Sequence, residues 1–484
     1  MDNPRDCCLT YPILSDLLSV LGRWGIAPAI LLLLSSGGPA FAQFEQLTND
    51  AGGAACGSFE ASVSSNGLVV AFESTCDLDG DNEDNGDGSR EIFVGGRGAA
   101  LVQITSSPRD CANTAPVVSA DGSVVAFESD CDLDGSNPDA NVEIWIWKGG
   151  DPLALTDTFG CTSLEPAINA DGSLVVFDSD CSSSGDFSSE IVLANAGDVD
   201  FGDTTQLTDD LTGLCDSLSP DISDDGSLIV FESDCDLTDD NEDLAAEIFS
   251  VTPAGIITKL SNAPDDTCAA FEVSLSGDAS TAVFQSDCDY SGANGDGGNE
   301  IFKIATDSGA LTQLTNDDSG ALCETARPAV NSDGSFVAFE SSCDRTGSNG
   351  DESSEIFRVG VGTEQLTDGQ ECDSMAPAID ASGIEVLFDS NCDLLGTNED
   401  GNAEIFDVFE FQCRCGAPKS KDNGPLASDA LFVLKAAVGL DSCMPCECDV
   451  NDDGRIASSD ALNVLRAAVG QIGVVLECPA PPDS

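Results

Sequence analysis

The strongest constraint on the fold is a short motif that recurs seven times: a phenylalanine, then an acidic residue or glutamine, then serine. Copies of one unit of roughly fifty residues must each bury an apolar face against their neighbours, so the recurrence predicts a repeat architecture. The seven motif phenylalanines are Phe72, Phe127, Phe177, Phe231, Phe284, Phe339 and Phe388.

Each unit carries the signals of four short strands. The motif phenylalanine ends an apolar run, and a tight turn such as Asn66-Gly67 precedes that run, which is the pattern of a β-hairpin. A third strand begins at a Glu-Ile pair such as Glu91-Ile92, whose glutamate we expect to close its loop by a hydrogen bond. A fourth strand ends at a Leu-Thr pair such as Leu155-Thr156. Four strands per unit predict an all-β fold, a seven-bladed β-propeller over residues 43–411.

The two ends of the repeat region predict how the ring closes. Residues 44–48 carry the fourth-strand motif without a blade, and the seventh repeat stops after its third strand, near Phe411. We therefore expect the first strand to complete the last blade, which removes an exposed sheet edge.

Fourteen cysteines fall in pairs whose members are 20 residues apart, with the hairpin turn of each repeat at the midpoint. Residues equidistant from a hairpin turn face each other across two strands, at a separation that a disulfide can span. We predict one disulfide per blade rather than metal-binding thiolates, which need four clustered ligands. The predicted pairs are Cys56–Cys76, Cys111–Cys131, Cys161–Cys181, Cys215–Cys235, Cys268–Cys288, Cys323–Cys343 and Cys372–Cys392.

The repeats resemble the TolB-like, WD-like propeller repeats of exported bacterial proteins. The stretch 119–129, with its Ser-Ala-Asp-Gly-Ser turn and Val-Ala-Phe-Glu-Ser strand, carries the resemblance best, and the match covers residues 44–411. The chain departs from that pattern in its long acidic loops and in lacking a tryptophan before the turn. TolB itself has six blades, whereas seven repeats are counted in this chain.

The composition excludes several kinds of function. The chain has no histidine, so Ser–His–Asp and Cys–His catalysis are excluded, and paired carboxylates remain for acid–base chemistry. The net charge is −71, which predicts no nucleic-acid partner and favours cations, basic partners or neutral ligands.

Residues 1–42 are predicted to be a signal peptide. Arg23 precedes an apolar run over 26–34, and the small residues Ala40 and Ala42 suit a cleavage site. A membrane anchor is the alternative, but the run is shorter than the roughly 20 residues that span a bilayer, so we expect no membrane span after cleavage. With 22 cysteines, the protein is expected to be secreted, extracellular or at the cell surface, with the periplasm as an alternative.

An acidic loop follows the second cysteine of most repeats and is expected to leave one face of the ring. In the first repeat Asp77, Asp79 and Asp81 have the alternating spacing of cation ligands and form a candidate weak metal site. The alternative, which we favour, is that these loops are solvated turns, because Asp, Asn and Gly are ordinary turn residues.

Residues 412–484 predict a small α-helical calcium module. The loop at 449–460 matches the helix-loop calcium pattern, in which alternate oxygen ligands converge on one ion and Gly454 allows the sharp turn. Calcium is the predicted cofactor. Its predicted ligands are Asp449, Asn451, Asp453, Arg455 through its backbone carbonyl, and Asp460.

The same helix sequence occurs twice, 31 residues apart, and this duplication resembles a dockerin, a module that binds cohesin-bearing partners. The resemblance implies that Ser458 and Ser459 contact a cohesin-like partner. The first copy departs from the pattern, since Pro418, Ser420 and Asp422 stand where ligands should be. Six cysteines frame the module, and their pairing stays open, with a zinc site as an alternative to disulfides.

These patterns predict a secreted, non-catalytic binding or scaffold protein, and no enzyme. Its propeller would present an acidic face to a protein partner or an extracellular glycan, and its calcium-loaded module would dock. One alternative is a carbohydrate-active enzyme or accessory subunit of an extracellular polysaccharide-degrading complex, with Trp145 and Trp147 as sugar-stacking candidates. Another is a structural cell-surface protein. No repeat breaks the symmetry in the way that an active site usually does.

Overall fold

The computed structural model describes residues 42–49, 56–78, 88–181, 188–197, 204–209, 214–241, 244–264, 267–317, 323–398, 400–410, 427–437, 450 and 457–468. Within these ranges the chain forms seven antiparallel sheets of four strands each. The predicted seven-bladed, all-β propeller is confirmed.

The first two strands of each blade form the predicted hairpin. The first strands are β2 (Ser58–Val63), β6 (Asn113–Val118), β10 (Ser163–Ile168), β14 (Ser217–Ile222), β18 (Ala270–Leu275), β22 (Thr325–Val330) and β26 (Ser374–Ile379). The second strands are β3 (Val70–Ser74), β7 (Val125–Ser129), β11 (Leu174–Ser179), β15 (Ile229–Ser233), β19 (Thr281–Ser286), β23 (Val337–Ser341) and β27 (Glu385–Ser390).

The last two strands complete each blade towards its outer edge. The third strands are β4 (Glu91–Gly95), β8 (Glu143–Trp147), β12 (Glu190–Asn195), β16 (Glu247–Val251), β20 (Glu300–Ala305), β24 (Glu355–Val359) and β28 (Glu404–Glu410). The fourth strands are β5 (Val102–Gln103), β9 (Leu153–Ala154), β13 (Thr204–Gln206), β17 (Ile257–Lys259), β21 (Leu311–Gln313), β25 (Thr363–Gln365) and, for the last blade, β1 (Ala42–Gln46).

The ring closes as predicted. Strand β1 pairs antiparallel with β28, with Phe44 opposite Val408, so the start of the propeller supplies the outer strand of the seventh blade. Each first strand contacts the first strands of both neighbouring blades, and β26 contacts β2. The seven first strands therefore surround the propeller axis.

Pairs of aromatic rings fill the blades. The motif phenylalanine on the second strand lies opposite an aromatic residue on the third strand in most blades, as in Phe72 against Phe93 with 5.7 Å between ring centroids. In the second blade this partner is Trp145, which is fully buried, so it is a core residue and cannot stack on an external sugar. Trp147 is half-buried.

All seven predicted disulfides are present, one in each blade, between the cysteines 20 residues apart. Each disulfide joins the two strands of the first hairpin at the end remote from the turn, because the cysteines precede the first strand and follow the second. The alternative of metal-binding thiolates is therefore excluded for these fourteen cysteines.

The glutamate that begins each third strand forms the predicted loop-closing hydrogen bond. Glu91 accepts from the Thr105 hydroxyl at 2.6 Å and from the Ser107 amide at 2.8 Å. Glu190 accepts from Thr208 in the same way, at 2.6 Å. In these blades the threonine of the Leu-Thr signal thus marks a buried carboxylate–hydroxyl pair that joins the third strand to the loop after the fourth, whereas in the second blade Glu143 accepts from Thr158 instead.

The C-terminal part of the described chain contains two helices, α1 (Ala427–Ala437) and α2 (Ser458–Ala468). They pack on each other and bury Val433 and Val464. Two short helices do not confirm a dockerin-like module. The predicted signal peptide up to residue 41, the six C-terminal cysteines and most of the calcium loop lie outside the described residues.

Within the described residues, no helix combines the length and the apolar character that crossing a bilayer requires. The seven disulfides fit the predicted extracellular or periplasmic location, because such bonds persist in oxidising compartments.

Removal of one blade's disulfide should destabilise the propeller measurably. Replacing Cys111 and Cys131 together by serine frees a loop of 20 residues, which should lower the free energy of unfolding by about 3 kcal/mol in the chain-entropy model. Denaturant unfolding of the variant and the parent checks this. Unchanged stability would show that the disulfide does not constrain the unfolded chain.

Candidate functional site

The acidic loops contain structural hydrogen bonds of their own. In the second blade the Asp132 carboxylate accepts from the Asn137 amide at 3.1 Å, and the Asn137 side chain donates to the Asn141 carbonyl at 2.9 Å. Asp236, Asp289, Asp344 and Asp393 make the first of these bonds at 2.9–3.0 Å in their blades. These contacts support the interpretation as turns.

The predicted metal residues are mostly beyond what the structure describes. Asp77 lies in the described chain, but Asp79 and Asp81 do not, so the weak site stays a prediction. The same is true of the calcium loop, since Asp449, Asn451, Asp453 and Arg455 fall outside the described residues and only the helical backbone of Asp460 is described. Ser458 and Ser459 are exposed at the start of α2.

Five blades place an aspartate beside the two cysteines of the hairpin, an arrangement that could hold a metal ion. Both sulfurs are used in a disulfide, so each cluster offers one carboxylate. In the third blade that carboxylate, on Asp180, already accepts the Thr162 amide at 2.5 Å. A calcium-specific arrangement does not follow from these clusters.

A different acidic site lies at the propeller axis, where every first strand is bulged. Its third residue has φ near +50°, and the pairing with the second strand shifts register there. None of the seven bulge residues is glycine, although a positive φ costs other residues about 1–2 kcal/mol. They are Glu60, Ala115, Glu165, Ser219, Glu272, Arg327 and Ala376.

The amide of each bulge residue donates to the side chain that follows the motif phenylalanine of the preceding blade. Glu128 accepts from the Glu165 amide at 2.5 Å, and Glu232 accepts from the Glu272 amide at 2.8 Å. The seven acceptors, called here the axial ring, are Glu73, Glu128, Asp178, Glu232, Gln285, Glu340 and Asp389. The bond from the Glu60 amide to Asp389 closes the circuit.

Burial changes the acidity of the axial ring. The pKa of Asp178 is raised to about 8, mainly by burial, and the negative charges of Glu165 and Glu128 raise it further. Burial likewise raises the pKa of Glu232 to about 7 and that of Asp389 to about 7. Acidic side chains that titrate near neutral pH are typical of functional sites.

Two arginines compensate one side of the axial ring. Arg90 forms an ion pair with Glu73, and its guanidinium lies 5.6 Å from the Phe59 ring. The guanidinium of Arg327 forms two ion pairs, with 3.4 Å between Nη1 and Glu60 Oε1 and 4.0 Å between Nε and Glu340 Oε1. Because Arg327 belongs to the sixth blade and Glu60 to the first, this contact spans the seventh blade.

The other side of the axial ring has no such compensation. None of the ion pairs among the described residues involves Glu128, Asp178 or Glu232. Glu165 adds a fourth carboxyl group there and is exposed. We call these four residues the uncompensated arc.

The comparisons with known proteins concern the fold. No family model and no curated protein matches the chain. Among solved structures, it is similar to an oligogalacturonate lyase in complex with manganese, at 12% identity over 77% of this chain and 98% of the other, with a TM-score of 0.50. An oligogalacturonate lyase from Vibrio parahaemolyticus gives 0.49 with the same identity and coverage. A putative TolB from Agrobacterium tumefaciens is 20% identical over 54% of this chain and 86% of the other, with a TM-score of 0.36.

These similarities correct one prediction. The chain was expected not to be an enzyme, yet the manganese-bound oligogalacturonate lyase that shares its fold, with a TM-score of 0.50, is an enzyme, so that expectation is withdrawn. The error came from equating catalysis with histidine and with known motifs. Carboxylates alone can supply acid–base groups, and the axis collects them.

The axial ring was missed in the sequence, although its members were in view as the residues after the motif phenylalanines. They were counted as repeat markers, and the repeats were taken to be fully symmetric. The symmetry is in fact broken where Gln285 replaces a carboxylate, and where Arg327 stands at the bulge position that carries glutamate in three other blades. Variation at an otherwise repeated polar position was the available signal.

Replacement of Asp389 by asparagine should flatten the dependence of stability on pH. The folded-state pKa of about 7 lies above the ordinary value of 3.8, so the native protein holds this proton more tightly than the unfolded chain does. The resulting stability is fully present below about pH 4 and is lost as the pH rises through 7, at up to about 1.4 kcal/mol per pH unit.

Chemical denaturation of the parent and D389N between pH 4 and 8 measures this slope. D121N is the control, because hydrogen bonds from Ser123 lower the pKa of the exposed Asp121 and it titrates below this range. Equal slopes for the parent and D389N would show that Asp389 titrates normally.

Proposed function

We propose that the propeller is a carbohydrate-active enzyme of the cell exterior that hydrolyses a neutral or basic glycan with two axial carboxyl groups. The observation that carries this proposal is the pair formed by Asp389 and Glu60. Asp389 is buried and has a pKa of about 7, whereas Glu60 is about half exposed and forms an ion pair with Arg327. Two carboxyl groups in unlike environments are the requirement for acid–base cleavage of a glycosidic bond.

In this proposal the Asp389 carboxyl donates its proton to the leaving glycosidic oxygen. The Glu60 carboxylate then takes a proton from the water that attacks the sugar, or attacks the sugar itself. Arg327 holds Glu60 at the axis. The net charge of −71 disfavours polyanionic substrates, so a neutral or amino-sugar polymer is the substrate class that fits.

A docking role for the C-terminal residues agrees with an accessory place in a larger extracellular complex. Helices α1 and α2 expose equivalent leucines, Leu431 and Leu434 on one and Leu462 and Leu465 on the other. We propose that this duplicated surface, with Ser458 and Ser459, contacts a cohesin-like protein partner once Asp449, Asn451, Asp453, Arg455 and Asp460 hold calcium.

The enzymatic proposal is tested by incubating residues 43–484, called here the mature chain, with a panel of neutral and amino-sugar polysaccharides. Release of reducing ends should be detectable, and D389N and E60Q should each lower kcat by about 100-fold or more, as expected for loss of a general acid or base. Activity of the parent should fall above about pH 7, where Asp389 loses its proton.

D121N removes an exposed carboxylate of a hairpin turn, outside the axial ring, and should retain parental activity. Absence of turnover on every substrate would contradict the proposal, as would parental activity in both axial variants.

A further inference from the structure

The uncompensated arc concentrates negative charge where the opposite side of the axis is neutralised. Glu165, Glu128 and Glu232 all act electrostatically on Asp178, each disfavouring its charged form. In contrast, Arg327 acts on Asp389, the residue that occupies the position of Asp178 in the seventh blade. The repeat therefore offers two equivalent aspartates, one beside an arginine and one without a cation.

Asp178 also buries an oxygen that has no hydrogen-bond partner. One carboxylate oxygen accepts the Ser219 amide, whereas Oδ1 has no partner in the described structure, and the residue is only 1% exposed. Buried polar atoms in native structures almost always have a hydrogen-bond partner, so such an atom calls for an explanation. Asp178 is alone among the axial carboxylates in this respect.

The side-chain atoms near Asp178 indicate which kind of ion could bind there. Glu165 is exposed and directly follows Leu164, which pairs with Asp178 across the first hairpin of the third blade, while Glu128 and Glu232 add charge from the neighbouring blades. All four offer only oxygen, and the chain contains no histidine. Oxygen-only sites with several carboxylates select hard divalent cations such as Ca²⁺ or Mn²⁺.

We propose that the uncompensated arc binds one calcium-class divalent cation, with Asp178 Oδ1 and the Glu165 carboxylate as direct ligands. Glu128 and Glu232 supply charge, and water supplies the remaining oxygens. The ion does for blades two to four what Arg90 and Arg327 do for the rest of the ring. This site is separate from the Asp389–Glu60 pair, so it stands whether or not the protein is an enzyme.

Equilibrium dialysis of the mature chain against Ca²⁺ tests the proposal by stoichiometry. D178N should bind one ion fewer per chain than the parent. D389N is the matched control, because it makes the same change at the equivalent position in the seventh blade, where Arg327 already compensates, and it should keep the parental number. D449N, in the predicted C-terminal loop, reports the other site, and its effect should add to that of D178N.

E165Q guards against a folding defect in D178N, since Glu165 is exposed and its backbone amide, not its side chain, makes the inter-blade bond. It should weaken the same site at least tenfold. Parental stoichiometry and affinity in both D178N and E165Q would overturn the proposal. Loss of an ion in D389N to the same extent as in D178N would also overturn it, because the effect would then not belong to the arc.

Discussion

The hydrogen bond from a bulged first strand to the acidic side chain of the preceding blade is the interaction on which the ring depends. It recurs seven times with φ near +50° at the donor, and its seventh copy, from the Glu60 amide to Asp389, joins the last blade to the first. A strained backbone persists only where its surroundings hold it. The acceptors must therefore be polar and buried beside the axis, and this fixes carboxyl groups where a second function can use them.

That requirement explains why structure and chemistry occupy the same residues. Six of the seven acceptors are acidic, so closing the ring brings together negative charges that have to be offset. Arg90 and Arg327 offset these charges on one side. In the fifth blade the acceptor of the Arg327 amide is Gln285, which is neutral and adds no charge. The repulsion among the remaining carboxyl groups is relieved either by protonation, which their raised pKa values favour, or by a bound cation. The asymmetry of the axis, not the symmetry of the blades, carries the information about function.

Much of the fold could be predicted from the sequence, because the repeated turns, apolar runs and cysteine spacing are local signals with a fixed geometry. Ring closure by the first strand and a loop-closing hydrogen bond from the glutamate of each third strand were predicted on the same basis, but the partner of that glutamate, such as Thr105 for Glu91, was not. The axial site could not be predicted so easily. Its contacts join residues about 40 positions apart in different blades, as in Glu128 with Glu165, and the φ of a bulge residue such as Glu60 leaves no trace in residue type. The absence of histidine also directed attention away from carboxylates.

The axis has one side that arginines compensate, and we propose that its other side needs a cation. Anomalous diffraction from crystals of residues 43–484 grown with Mn²⁺, an anomalously scattering substitute for calcium, distinguishes the two sides. We expect one strong peak on the axis beside Asp178 Oδ1 and Glu165, and none beside Asp389. An axis without a peak next to Asp178, or with equal peaks next to Asp178 and Asp389, would contradict the proposal.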